Sequence, residues 1–139
     1  MEPAGVMNAD EQRLNGLRIL VVDDNKDNRD FIEFLLQEYG AEVLAVDLAN
    51  EALKLFAQFK PDILITDLSM PEKDGYWLIH QVRILDTDLG ARIPVIVFTG
   101  KDLDDISVSE VEFQCYLRKP IDPDELIRAV AKLAIRQEK

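Results

Sequence analysis

The residues that staple small folds together are scarce in this chain: there is one cysteine, Cys115, and one histidine, His80, among 139 residues. A single thiol excludes an internal disulfide and fits a reducing cytosol. Its ordinary role would be that of a small strand residue. Positive charge is also short, since 16 Lys and Arg against 27 Asp and Glu leave a formal charge of −11. Nucleic acid and anionic membranes repel such a surface, which argues against both as partners and makes a cation the more natural guest. No apolar run approaches the roughly 18 residues that a membrane span needs. The opening MEPAGVMNADEQRLNG has no basic region followed by an apolar stretch, so it does not read as a secretory signal. Internal repeats and low-complexity tracts are absent too. The expected location is the cytoplasm.

What remains is enough for one domain with a hydrophobic core that needs no disulfide or structural metal. Residues 1–16 carry few groups able to reach a core and are expected to form a mobile tail, with the domain spanning 17–139. Short apolar runs recur as RILVVD (18–23), AEVLAVD (41–47), DILITD (62–67), PVIVFT (94–99) and CYLRK (115–119). The first, third and fourth are near-continuous in aliphatic and β-branched residues, as strands covered on both faces should be. Between the runs lie segments with helical spacing. Ile32, Leu35, Leu36 and Tyr39 share a face before Gly40; Ala52, Leu53, Phe56 and Phe59 share one before Pro61; Leu78, Val82 and Leu85 make a third. The last opens with Asp122 as a cap and carries the stripe Leu126, Val130, Leu133. Strand and helix alternate, so the chain is expected to be an α/β domain: a doubly wound, five-stranded parallel sheet in flavodoxin-like order 2-1-3-4-5, with helices on both faces.

In such a sheet, ligands bind outside the carboxyl ends of the strands. The apolar runs end in Asp23 with Asp24, Asp47, Asp67, Thr99 and Lys119. The strand order sets Asp47 at an edge, where capping the helix that begins near Asn50 is its expected role. The other residues can converge. Each alone would be an ordinary helix cap, and only their joint placement at adjacent strand ends argues for a site. Carboxylates crowded within about 5 Å repel by roughly 1 kcal/mol per pair in water, and a divalent cation removes that cost. Ligands that are all oxygen favour Mg²⁺ or Mn²⁺ over zinc. Lys119 and Thr99 fit once an anion such as a phosphoryl group joins the metal, and Asp67, alone at the end of the middle strand, is the candidate carboxylate to accept it.

These pieces, ILVVDDN, DILITDLSMPEKDGYWLI, PVIVFTG and YLRKP, resemble in order and spacing the response-regulator receiver domain of two-component signalling, over about residues 17–135. The resemblance implies that Asp67 is the phosphorylated residue, with Asp24 and Asp67 as direct Mg²⁺ ligands, Asp23 acting largely through water, and the backbone carbonyl of Ser69 completing the protein ligands. It implies that Lys119 pairs with the phosphoryl group, that a cis bond to Pro120 follows, and that Thr99 and Tyr116 are a switch pair. The face rearranged would be that of the family's fourth helix, fifth strand and fifth helix. The donor would be a sensor histidine kinase or a histidine-phosphotransfer protein, and DDNKDNRDFIEFLL is similar to receivers joined to hybrid kinases, whose first helix meets such a partner. In MPEKDGY, Pro71 and Gly75 are expected to shape the turn over the site, with Gly75 free to take positive φ.

Two alternatives have the same fold or chemistry: an interaction module that is never phosphorylated, and a phosphohydrolase working through an aspartyl phosphate. The second commonly has an acid two residues after its nucleophile, where this chain has Ser69. With no DNA-binding helix pair, catalytic domain or long linker after Lys139, action by docking is expected, as a signalling domain rather than an enzyme. The segment GKDLDDISVSEVEFQ departs from the family: Glu112 and Phe113 stand where a Gly-Ala pair usually precedes the switch aromatic, so a short or irregular fourth helix is expected. Lys101 and Ser69 border the expected phosphoryl position. Trp77, His80 and Ile84 lie opposite Leu78 and Val82 on the third helix, where partial burial of Trp77 and exposure of His80 are the plain expectations.

Overall fold

Five short runs of aliphatic residues become five parallel strands: β1 Arg18–Val22, β2 Glu42–Val46, β3 Ile63–Asp67, β4 Val95–Thr99 and β5 Cys115–Arg118. The structure, a computed structural model, describes residues 13–68, 70, 73–85, 92–100 and 113–137, with side chains through Ala134. Four helices are described, α1 Lys26–Glu38, α2 Ala49–Phe59, α3 Gly75–Leu85 and α4 Pro123–Gln137. The strand order is β2-β1-β3-β4-β5. It is the doubly wound, flavodoxin-like order expected from the sequence. The expected irregular helix falls in 101–112, outside the described residues.

Register explains how one sheet feeds two cores. Leu20 pairs with Leu64 and Val21 with Ile65 across β1 and β3, while Thr66 pairs with Val97 across β3 and β4. Successive side chains in a strand point to opposite faces. Ile19, Val21, Ile63, Ile65, Ile96, Phe98 and Leu117 therefore pack with Ile32 and Leu36 of α1 and Leu126, Val130 and Leu133 of α4. Leu20, Val22, Leu64, Val95 and Val97 pack instead with Ala52 and Phe56 of α2 and Leu78, Ile79 and Val82 of α3. Each large aliphatic or aromatic side chain so buried contributes about 1.5–3 kcal/mol. Every residue of β3 and β4 is buried, whereas β2, at the edge, is only half covered.

The helix ends follow local chemistry. Asn25 caps α1 by accepting from the Asn28 amide at 2.9 Å. At the other end Gly40, with φ +100°, allows a Schellman closure in which Gly40 N donates to Gln37 O and Ala41 N to Leu36 O. Asp122 caps α4 as expected, its Oδ1 accepting from Asp124 N at 2.9 Å and Glu125 N at 3.4 Å.

Two expectations are corrected. Asp47 does not cap α2: the cap position is Leu48, which forms no side-chain capping bond, and Asp47 lies one residue further out and exposed. The packed domain also begins before residue 17. Leu14 is fully buried against the α1 face of the sheet and its amide donates to Tyr39 O at 2.9 Å, because a turn at residues 13–16 folds the chain back onto α1.

Candidate functional site

The carboxyl ends of β1, β3 and β4 and the residue after β5 converge above the sheet. Asp23, one residue past β1, has no exposed surface, and its amide donates to Val46 O at 3.2 Å. Asp67, the last residue of β3, is buried, as is Thr99 at the end of β4. Asp24 is exposed. One carboxylate oxygen from each of Asp23, Asp24 and Asp67 lies within 4.8 Å of the others.

Pleating puts the charged pair on one side. Asp23 and Asp67 continue the alternation of Ile19–Val21 and Ile63–Ile65, so both rise on the α1/α4 side of the sheet, where Lys119 meets them. Lys119 Nζ is 2.7 Å from Asp67 Oδ2 and 3.5 Å from Asp23 Oδ2, and 5.3 Å from the centroid of the buried Phe98 ring. Its own amide donates to Thr99 O at 2.9 Å, which fixes the backbone beneath it. The bond to Pro120 is cis, as the resemblance implies.

Among the described residues, Asp23 is only partly satisfied. Asp23 Oδ1 accepts from Asn25 N at 2.9 Å, but its buried Oδ2 has no hydrogen-bond partner. Burial raises the Asp23 pKa, and Asp67 and Asp24 push the same way, against the Asn25 bond and the Lys119 charge. At Lys119 burial alone would lower the pKa; the hydrogen bond and charge of Asp67, with the charge of Asp23, outweigh it and leave the ammonium above its ordinary value. Lys119 is a charged partner of both buried acids. A divalent cation that prefers oxygen fits this donor set, because it would add to the Lys119 charge beside an Oδ2 that lacks a hydrogen bond and relieve the crowding without imidazole or thiolate.

Neighbouring backbone is held as tightly. A Cβ at Gly75, the first residue of α3, would lie 2.2 Å from Asp67 O and 2.8 Å from Leu68 Cα. Gly75 is thus needed for close approach, and the positive φ expected for it is not used, since the positive-φ glycines described are Gly16 and Gly40. Thr66 Oγ1 donates to Asp67 O at 2.9 Å, and Asp74 caps α3 by accepting from Trp77 N at 3.0 Å.

Tyr116 is half-buried and packs on the α2/α3 side of the sheet. It pairs with Val97, one pleat below Thr99 and on the same face. Phe113 packs against that core as well. Trp77 is half-buried with Lys73 Nζ 5.2 Å from its ring, while His80 and Ile84 are exposed. Ser69, Lys101 and Glu112 lie outside the described residues. Sequence reasoning missed Asn25, Arg29, Asp74 and Phe98. The first and third carried a readable signal, a short polar residue just before a helix.

The family model of the response regulator receiver domain matches residues 19–131. The chain belongs to that family, whose members are signalling domains that pair with sensor histidine kinases. It is similar to an uncharacterized 14.6 kDa protein of Leptolyngbya boryana, 40% identical over 126 residues, which are 89% of this chain and 95% of that protein. It is also similar to the sensor histidine kinase TmoS of Ectopseudomonas mendocina, 38% identical over 118 residues, 84% of this chain but 12% of the kinase. Among solved structures it resembles the receiver domain of a Pseudomonas aeruginosa sensor histidine kinase, 29% identical with a TM-score of 0.75, covering 85% of this chain and 97% of that one. That structure has a magnesium ion coordinated in its active-site cleft. Among the described residues no helix is long and apolar enough to cross a membrane.

Proposed function

We propose that this receiver domain is a phosphorylation switch in which Asp67 accepts a phosphoryl group from a phosphohistidine. The observation that carries this reading is Asp67 itself, buried at the end of a central strand with an ammonium at 2.7 Å and two further carboxylates beside it. An Asp67 carboxylate oxygen attacks phosphorus as the phosphorus–nitrogen bond of the donor breaks, and the departing imidazole keeps the bond's electron pair. Lys119 follows the charge, moving its hydrogen bond from the carboxylate to the phosphoryl oxygens. The Thr99 hydroxyl donates to another of those oxygens, and Tyr116, on the same face of the sheet, turns inward as Thr99 moves.

Asp24 and Asp67 would hold Mg²⁺ directly, Asp23 through water, and the Ser69 carbonyl would complete the protein ligands; Mn²⁺ suits the same donors. Bound there, the ion supplies charge neutralisation for the transferring group. The buried Asp23 Oδ2, without a hydrogen bond, supports this assignment, as does the magnesium in the related cleft.

The donor is a sensor histidine kinase or a histidine-phosphotransfer protein, and α1 suits its approach. Phe31 and Phe34 on that helix, which follows Asp24 in the chain, are 41% and 62% exposed. The output is a rearranged face of β5, α4 and the segment before β5. If the active state is about 1% populated at rest, inverting the ratio takes roughly 5.5 kcal/mol of differential interaction. A few charge-assisted hydrogen bonds at about 1.5–3 kcal/mol each are of that size.

Incubation with Mg²⁺ and a small phosphodonor tests the reading by intact mass. A gain of one phosphoryl group, absent without Mg²⁺ and absent from Asp67→Asn, is expected. No gain in the wild type, or a gain that survives Asp67→Asn, overturns it.

A further inference from the structure

Asp24 is the acid of the cluster whose side chain nothing holds among the described residues. It is exposed and has no hydrogen-bond or ion-pair partner among the described residues. Its position therefore depends on the backbone that carries it, and above all on the peptide joining Asp23 to Asp24. Rotation of that peptide plane would swing the Asp24 Cα–Cβ direction while leaving the strand below unchanged.

Among the described residues, three hydrogen bonds hold Asp23. Asp23 N donates to Val46 O at 3.2 Å and Asn25 N donates to Asp23 Oδ1 at 2.9 Å, but neither engages the Asp23–Asp24 peptide itself. The group that does is Arg29, whose Nη1 donates to Asp23 O at 2.9 Å. Arg29 is in the first turns of α1, and side chains on a helix lean toward its N-terminus, so the guanidinium can reach back six residues to that carbonyl. It is half-buried and its own amide is held by Asn25 O at 3.0 Å, which seats the residue firmly.

We propose that Arg29 is a positioning residue for the metal site: by fixing the Asp23–Asp24 peptide it sets the placement of Asp24 and with it the affinity for Mg²⁺. This rests on the metal assignment above. Position and charge predict opposite signs. A guanidinium near an acidic cluster opposes a divalent cation electrostatically, so a residue acting through charge alone would tighten Mg²⁺ binding when removed. A residue acting through position loosens it.

The test is calorimetric titration of the full chain with Mg²⁺ for the wild type, Arg29→Met, Asp24→Ala and the double variant, with urea unfolding in EDTA run alongside. Methionine keeps most of the aliphatic stem and loses every donor. Arg29→Met is expected to weaken Mg²⁺ binding by roughly three- to tenfold, the range of one net hydrogen bond. Added to Asp24→Ala, it is expected to change the affinity no further, because the carboxylate it places is gone. Arg29→Lys, which retains a donor of similar reach, is expected to restore part of the loss. Unchanged or tighter binding in Arg29→Met overturns the proposal, as does the same loss in the Asp24→Ala background. A fall in folding stability with Mg²⁺ affinity intact overturns it too and leaves Arg29 a structural residue. Failure of the wild type to bind Mg²⁺ would overturn the metal assignment itself, an outcome distinct from the others.

Discussion

The two ends of the sheet treat charge in opposite ways. At the amino end, Arg18 meets several partners: its amide donates to Asp62 Oδ2 at 2.9 Å, Nε to Phe59 O at 2.7 Å and Nη1 to Glu42 Oε1 at 2.7 Å, with the guanidinium 4.3 Å from the Phe59 ring centroid. One residue, through its amide and its side chain, ties β1 to β2, α2 and the start of β3. At the carboxyl end, among the described residues, three carboxylates lie together, Asp23 and Asp67 share the ammonium of Lys119, and a buried oxygen is left without a hydrogen bond. Polar groups that serve only the fold tend to be satisfied within it, whereas a conflict built into well-packed surroundings marks the place where something else is meant to bind. The difference between the ends is thus a stronger pointer to function than the mere presence of acids in a chain of charge −11.

The largest expected effect is from Lys119→Met. Removing the ammonium leaves Asp23 and Asp67 buried without it, and urea unfolding in EDTA at neutral pH should show a loss of about 2–4 kcal/mol. Millimolar Mg²⁺ should restore much of this; no restoration would separate the metal from the acids. Arg18→Ala should cost about 1–2 kcal/mol through its lost bond to Phe59 O, its ring contact and its ion pair, and that cost should be the same with and without Mg²⁺. A Mg²⁺-dependent cost there would erase the contrast between the two ends.

Asp23→Asn should act in the other direction. The folded-state pKa of Asp23 is raised, so the folded protein binds this proton more tightly than the unfolded chain, and the wild type loses stability as pH rises from the ordinary carboxylate range through the raised value. Above it the penalty is constant, so in EDTA at neutral pH the asparagine variant should be the more stable by about 1 kcal/mol. The gain should vanish at low pH, and Mg²⁺ should stabilise the variant less than the wild type. Equal stability across the acid range would show that the buried carboxylate carries no strain. The smallest effect is from Glu42→Ala, whose partner is at the surface: a few tenths of a kcal/mol, fading as salt is added.

Much of both ends could be read from the sequence, for different reasons. Strands announced themselves as aliphatic runs because β3 and β4 are buried on both faces, and the residue ending each run marked the site because parallel strands all finish at one end. Lys119, Asp67 and Asp23 needed only that rule. Arg29 escaped it since a polar residue on an amphipathic helix reads as solvent-facing, and nothing local shows that it reaches back to a carbonyl. Leu14 escaped because one apolar residue has no period. For Gly75 the residue was right and the reason was not: turn chemistry suggested a backbone angle, whereas the requirement is space beside Asp67 O, set by a helix packing on a distant strand. The Asp47 cap failed by a single residue, within the usual slippage of a helix start.

The end of β4 has one more consequence. Phe98 belongs to the core beneath α1 and α4 and has Lys119 over its ring, while Thr99, the next residue, ends the strand on the opposite face, where Tyr116 packs with α2 and α3. Two adjacent peptide units therefore straddle the partition between the halves of the molecule. A displacement of this strand tip would therefore disturb the packing on two sides of the sheet at once.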